Sequence, residues 1–416
     1  MPLADEALAV PAGFFRRGSL RGAEGFFRAG QDDDGRWWLA DPAGAPVFVR
    51  CVQGVKAAPA PGDATLPPDP VARLRAWGFN SVGVGGDDST GRDDGWPFLA
   101  TVEFADAGRV ITGGGLRLPD VFDPEWPRLA AERALEVCAP QKENGELIGW
   151  VTDRRLEWAL TARAGRPSLL QLCLSLEPSF PAYHAAWEFA LALHGGRIEA
   201  LARAWDTPIA NKEVVREMTR AEQGLRTRGY LRDEARWARE FARRYFTTTA
   251  SAVRAADPNH LLLGCRFGAV VGAAVLAECV YPAVDVAMPH WVELPAPGAT
   301  PSQPVLAGEV GWVSEMFLRP QAGGAARRLT TVERMLRRAR LALDRLARHP
   351  AAVGYAWARW EDGPGERAPF AGGLVHADGT EAREHTELLA DFNARVEALR
   401  RSSERALREI AHPPNP

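Results

Sequence analysis

The stretch ELIGWVTDRRLEW, residues 146–158, joins an apolar run to a cluster of charged residues. Residues 147–151 are apolar or glycine, a pattern typical of a β-strand that is buried on both faces. Asp153, Arg154 and Arg155 follow almost directly, and Glu157 lies two positions further on. Parallel strands of α/β proteins carry their ligand sites at their carboxyl ends. The stretch therefore predicts a buried parallel strand whose charged end bears on function.

Seven other short apolar runs alternate with helical patterns along the chain. The clearest helical pattern covers residues 331–348, where apolar positions recur one turn apart beneath a coat of arginines. No glycine-rich nucleotide-binding motif follows an early strand, which weakens the case for an open sheet. Eight strands alternating with helices favour a (β/α)8 TIM barrel. The seven further strands are predicted at residues 47–55, 79–84, 98–104, 261–266, 284–288, 304–308 and 352–357.

The same patterns divide the chain into three parts. Residues 1–45 contain two Asp- and Gly-rich turns and are predicted to form an N-terminal extension with a β-hairpin packed on the barrel. The barrel itself is assigned to residues 46–400, and residues 401–416 to a C-terminal tail. Residues 175–248 are mostly helical and too long for one crossover, so we expect a helical insertion near the fourth and fifth units, over the mouth of the barrel.

Composition narrows the classes of function. With 50 basic and 53 acidic residues among 416, the formal charge is −3, and no basic surface for nucleic acid is indicated. No uninterrupted apolar run is long enough to span a membrane, and the first residues do not resemble a secretion signal. The five cysteines are widely spaced without a CxxC pair, which favours buried thiols over disulfides or a zinc site. We expect a cytoplasmic protein without a metal or cofactor.

The predicted strand ends deliver arginines, carboxylates and aromatic rings to one pocket. Such a mixture suits a saccharide, because sugar faces stack on indole rings and hydroxyl groups bond to charged side chains. Glu309 stands out, since the run PVLAGEVGW places a lone carboxylate after an apolar strand; an ion pair with a neighbouring arginine is the alternative. For the tryptophans, packing in the pocket wall is the alternative to sugar stacking, and His290 lacks a second His or Cys at metal-binding spacing. The candidate binding residues are Arg154, Arg155, Arg266, His290, Trp291, Trp312, Trp357 and Trp360.

Several of these motifs also occur, in the same order, in a known family. GRWWLADPAGAPVFVRCVQGV, LRAWGFNSVGVGG, VDVAMPHW, QPVLAGEVGW and VGYAWARWEDGP resemble segments of agarase-like TIM-barrel glycoside hydrolases, over most of residues 33–396. The resemblance implies a retaining glycosidase site in which Glu309 is the nucleophile, Arg266 orients it and Trp357 forms a sugar platform. The family's fourth strand typically reads GYFTDNELxW and carries the acid/base glutamate. Here the chain reads GWVTDRRLEW, with Arg154 and Arg155 where the family has Asn and Glu.

This departure leaves three hypotheses. In the first, hydrolysis is reduced or lost, because a guanidinium stays protonated at neutral pH and cannot act as a general acid, and the chain binds a saccharide or acts as a regulatory partner. Alternatively, it is an active retaining glycosidase whose acid is Asp153 or Glu157, although Glu157 would point away from the cleft of an extended strand. In the third hypothesis Arg154 and Arg155 bind an anionic ligand, unless they pair internally with carboxylates. We expect Arg155 within salt-bridge range of Glu309, in a cleft walled by tryptophans.

Overall fold

A small antiparallel sheet precedes the main body of the fold. The computed structural model describes residues 13–56, 69–86, 95–154, 156, 167–220, 225–267, 271–290, 294, 303–312, 331–362, 372–376 and 378–402. Strands β1 (Arg28–Gln31), β2 (Trp37–Ala40) and β3 (Pro46–Val47) pair in that order. In the two turns between them, Asp32 Oδ1 accepts a hydrogen bond from Arg36 N (2.9 Å) and Asp41 Oδ1 accepts one from Ala45 N (2.8 Å). These are the side-chain-to-backbone bonds that make Asp common in turns.

A seven-stranded parallel sheet forms the centre of the molecule. Its strands stand in the order β10-β9-β6-β5-β4-β12-β11, and every neighbouring pair is parallel. A separate hairpin, β7 and β8, follows β6. The strands after β3 are β4 (Val49–Val52), β5 (Ser81–Val82), β6 (Phe98–Val102), β7 (Val110–Gly113), β8 (Leu116–Pro119), β9 (Leu147–Thr152), β10 (Leu261–Gly264), β11 (Val305–Val310) and β12 (Ala352–Trp357).

Residues 285–290 lie between the two edge strands of this sheet. On one side, Asp285 N donates to Leu262 O of β10 (2.8 Å), and on the other, Gly308 N of β11 donates to Pro289 O (2.9 Å). The strand predicted at 284–288 is therefore present as isolated bridges rather than a continuous strand. The sheet is curled in the manner of a TIM barrel, and the predicted α/β class with a parallel sheet is confirmed.

Helices cover the outside of the sheet, and several begin at side-chain caps. Ser168, Thr227 and Thr331 each accept a hydrogen bond from a backbone N–H in the first turn of their helix. Between β9 and β10 the described residues form five helices, of which the longest, α7, packs against α2. The helices are α1 (Pro70–Ala76), α2 (Trp126–Cys138), α3 (Leu169–Ser175), α4 (Pro181–Leu193), α5 (Ile198–Trp205), α6 (Lys212–Arg220), α7 (Arg228–Ala256), α8 (Ala273–Val275), α9 (Val332–Arg348) and α10 (Arg383–Ser402).

Arg400, near the end of α10, connects this helix to β2. Its fully buried guanidinium donates to Trp37 O (2.8 Å) and Ala347 O (2.8 Å), and it lies 4.7 Å from the ring centroid of Trp38. Burial lowers the pKa of this guanidinium to about 9. Helix α10 ends at Ser402, past the predicted boundary at residue 400. Residues 403–416 of the predicted tail lie outside the described residues.

Candidate functional site

Glu309 occupies a β-bulge at the carboxyl end of β11. Opposite β12, Ala307 faces Tyr355 and Val310 faces Trp357, so β11 has one residue more than its partner between the two pairs. Glu309 has a φ of 53°, in the left-handed region that non-glycine residues rarely adopt. A bulge bends a strand and re-aims its side chains, and such strain is concentrated at functional sites.

Arg266 holds the carboxylate of Glu309. Its Nη2 donates to Glu309 Oε1, and the two side chains are 15% and 21% exposed. Arg266 lies two residues past β10, where Gly264 has a φ of 70° and a second bulge interrupts the pairing with β9. The backbone N of Arg266 donates to Asp153 O (3.2 Å), which fixes the arginine beside the end of β9. A charged donor therefore fixes the position of the Glu309 carboxylate.

Asp153 is buried at the end of β9 and its carboxylate is occupied by protein donors. Oδ1 accepts from the backbone N of Phe104 and of Ala105 (2.8 Å each), and Oδ2 accepts from the hydroxyl of Tyr245. The side chain is 1% exposed and, like Glu309, has a left-handed φ (66°). Burial raises the pKa of Asp153 to about 7, against the lowering effect of these hydrogen bonds. The carboxyl thus anchors the loop after β6 and presents no open face to a ligand.

Arg154, the residue after Asp153, pairs with Glu103. Arg154 Nε donates to Glu103 Oε1 (2.5 Å), and the side chains are 53% and 36% exposed. Glu103 directly follows β6, and the sequence analysis did not single it out. The charge of Arg154 is therefore compensated. Arg155, Glu157 and Trp291 lie outside the described residues, so the contact expected between Arg155 and Glu309 remains a prediction.

A cavity of about 370 Å³ opens at the carboxyl ends of β4, β5 and β12. Arg266 forms part of its wall, so the cavity lies beside the ion pair with Glu309. Asp362 is held at its rim by the backbone N of Gly372 (3.0 Å) and of Gly373 (2.9 Å) and by His376 Nδ1 (2.8 Å). The lining residues are Gln53, Gly54, Lys56, Val84, Gly85, Arg266, Ala358, Arg359, Trp360, Glu361 and Asp362.

The sequence matches no model of a known protein family. A curated relative, β-agarase A of Vibrio sp. (strain JT0107), is 28% identical over 211 residues, which are 47% of this chain and only 21% of that protein. The solved structure of an exo-β-agarase has a TM-score of 0.69 and 18% identity, over 92% of this chain and 66% of its own. The agarase AgWH50C has a TM-score of 0.67 and 18% identity, over 93% and 67%.

The chain has an agarase-like glycoside hydrolase fold. The resemblance seen in the sequence motifs is thus confirmed by curated and structural relatives. In this fold Glu309, Arg266, Asp153 and Arg154 all lie at the carboxyl ends of strands of one sheet, as the sequence patterns predict. The same edge also carries Glu103 and Gln53, which sequence reasoning missed.

Among the described aromatic candidates, Trp360 lines the cavity, and Trp312 and Trp357 pack against each other. Trp357 has no exposed surface and donates through Nε1 to Gly372 O (3.0 Å), and Trp360 is 2% exposed. Trp312 is half-buried, with its ring centroid 6.0 Å from that of Trp357. Neither Trp357 nor Trp360 has a ring face open for stacking. Both rings are packed, which is the alternative given for these tryptophans.

His290 is half-buried, and its backbone bridges to Gly308 beside the Glu309 bulge. Within the part of the chain that the structure describes, no group of three or more His, Cys, Asp or Glu side chains could hold a metal ion. Nor does any described helix combine the length and apolar character that crossing a membrane requires.

Proposed function

We propose that this chain is a glycoside hydrolase-like protein that binds a saccharide in the cleft at the carboxyl ends of its barrel strands, with reduced or lost hydrolysis. The observation that carries the proposal is the presentation of Glu309. Its carboxylate stands in a left-handed bulge at a strand end, is held by Arg266 and lies beside an open cavity. A strained, oriented carboxylate next to a cavity is an arrangement typical of a site and not of a surface ion pair.

The lining of the cavity favours a polyhydroxylated ligand. Its wall offers amide, guanidinium, ammonium and carboxylate groups, so hydrogen-bond donors and acceptors are both present. Its volume falls within the range of small-molecule sites. The relatives are named as agarases, and this too supports a saccharide as the ligand.

The proposed loss of hydrolysis follows from the end of β9. A retaining glycosidase needs a second carboxyl group about 5 Å from its nucleophile, to act as acid and then as base. Asp153 is buried and bonded to three donors, and the resemblance places Arg155 at the acid/base position. An arginine cannot release a proton at neutral pH.

One observation favours the alternative of an active retaining enzyme with Glu309 as nucleophile. Burial raises the pKa of Asp153 to about 7, which is the range in which a general acid works at neutral pH. To serve, its carboxyl would have to exchange its bonds to Phe104, Ala105 and Tyr245 for the leaving group. Glu157 is the other candidate acid in this alternative.

The third hypothesis, an anion site built from Arg154 and Arg155, is weakened by one contact. Glu103 already neutralises Arg154. A ligand anion would therefore compete with a carboxylate that belongs to the protein itself. A preference for anionic ligands would more readily come from cations of the cavity that form no ion pair with a described carboxylate.

The proposal is tested by measuring binding and turnover on the same samples. Calorimetric titration with galactose-based oligosaccharides is run beside an assay for released reducing ends, for the wild type, Glu309→Gln and Glu136→Gln. Glu136 is an exposed carboxylate on α2 and serves as the matched control. We expect wild-type binding with little turnover, weakened by Glu309→Gln alone. Absence of binding to every oligosaccharide, or turnover at the usual enzymatic rates of about 1–1000 s⁻¹, would contradict it.

A further inference from the structure

We infer that the cavity at the ends of β4, β5 and β12 is a subsite for a negatively charged saccharide unit, bearing a carboxylate or a sulfate ester. This inference rests on the proposed function and adds the chemical class of the ligand. Its residues are Gln53, Lys56 and Arg359, none of which belongs to the Arg154–Arg155 pair considered above.

Gln53 is the observation that points to a ligand. It follows β4 directly, and its backbone N donates to Trp357 O of β12 (2.9 Å), which fixes its position in the cavity wall. The residue is 1% exposed, and neither its Nε2 nor its Oε1 forms a hydrogen bond with any residue that the structure describes. Leaving a buried donor or acceptor unpaired costs about 1–3 kcal/mol, and proteins rarely accept this cost without a reason. A ligand that both accepts and donates would satisfy the amide.

The charged side chains around Gln53 indicate the charge of that ligand. Lys56 and Arg359 line the same cavity, and within the described residues neither forms an ion pair. Lys56 is exposed and Arg359 half-buried, so both side chains can move towards a ligand. An ammonium and a guanidinium form their strongest hydrogen bonds with anionic oxygens.

The carboxylates nearby do not cancel these cations. Glu309 is paired with Arg266, and Asp362 is bonded to two backbone N–H groups and to His376. Glu361 is the remaining carboxylate in the lining. Among the described residues, the cavity is therefore lined by two cations and one carboxylate that form no ion pair. A ligand with one anionic group and adjacent hydroxyls matches this set, with Gln53 Nε2 donating to the anion and Oε1 accepting from a hydroxyl.

The test compares three disaccharides that differ in one substituent. Calorimetric titrations of the full chain use galactobiose, its counterpart with one uronate carboxylate and its counterpart with one sulfate ester. The variants are Lys56→Ala and Arg359→Ala, both away from the buried core, with Arg340→Ala as a matched control. Arg340 is exposed on α9 and does not line the cavity. Circular dichroism confirms that each variant is folded.

We expect at least one charged disaccharide to bind about 10-fold more tightly than galactobiose, since a charge-assisted bond contributes enough for one factor of ten. Each of Lys56→Ala and Arg359→Ala should remove about that factor for the charged ligand and weaken galactobiose binding several-fold less, while the Arg340→Ala control binds all three disaccharides as the wild type does. Equal affinity for all three disaccharides, or equal losses for charged and neutral ones, would overturn this inference alone. If none of the three binds, the proposed function fails with it.

Discussion

Arg266 and Glu309 join the carboxyl ends of β10 and β11 through an ion pair between residues 43 positions apart. Residues 285–290 run between these two strands and bond to both, so the pair spans a part of the sheet that is held by isolated bridges. Neither side chain is more than 21% exposed. The pair therefore serves both the geometry of the site and the integrity of the sheet.

A double-mutant cycle should show strong coupling between the two residues. Removing either partner leaves the other charge largely buried and unpaired, which destabilises a protein more than removing both. We expect Arg266→Met and Glu309→Gln each to lower the free energy of unfolding, with a coupling energy of about 1–3 kcal/mol in urea titrations. Additive effects of the two substitutions would show that the pair contributes nothing to folding.

Glycine should be better tolerated than alanine at position 309. The φ of 53° costs a residue with a Cβ about 1–2 kcal/mol, a cost that glycine does not carry. We expect the free energy of unfolding of Glu309→Gly to be about 1 kcal/mol higher than that of Glu309→Ala, although both variants lack the carboxylate. At the helical control position Glu136, in α2, the order should reverse, with alanine more stable. The same order at both positions would argue against a strained bulge.

Asp153 should make the stability of the protein depend on pH. Its pKa is raised from 3.8 to about 7, so the folded chain binds more protons than the unfolded chain between those values. Stability therefore falls as the pH rises through this window, by up to about 4 kcal/mol for this group alone. Asparagine does not titrate, so the stability of Asp153→Asn should not carry this pH dependence. From pH 4.5 to pH 7.5, the unfolding free energy of the wild type should therefore fall relative to that of the variant. A difference that is constant with pH would contradict the raised pKa.

The strands that are apolar throughout could be predicted from the sequence residue by residue. The prediction for 147–152 and that for 352–357 coincide with β9 and β12, because each run is buried on both faces and ends abruptly. The run at 284–288 failed as a continuous strand. Its continuation contains Pro289, which has no N–H to donate to a neighbouring strand.

The strand ends that carry the candidate residues could be predicted from the sequence, but the local geometry of these residues could not. The position of Glu309 follows from its run of apolar neighbours, whereas its bulge depends on the register between β11 and β12, which no local pattern encodes. Glu103 was missed because its partner Arg154 lies 51 positions away. Gln53 was missed for a similar reason, since an unpaired amide is recognised only once its surroundings are known.

The release of reducing ends by Arg155→Glu, with a galactose-based oligosaccharide as substrate, tests the central claim most directly. The claim is that the cleft keeps a nucleophile-like Glu309 and lacks only the acid. We expect the variant to hydrolyse well above the wild-type level, and Arg155→Glu combined with Glu309→Gln to return to background. A wild type that already turns over, that loses activity in Glu309→Gln and that gains nothing from Arg155→Glu would contradict the account.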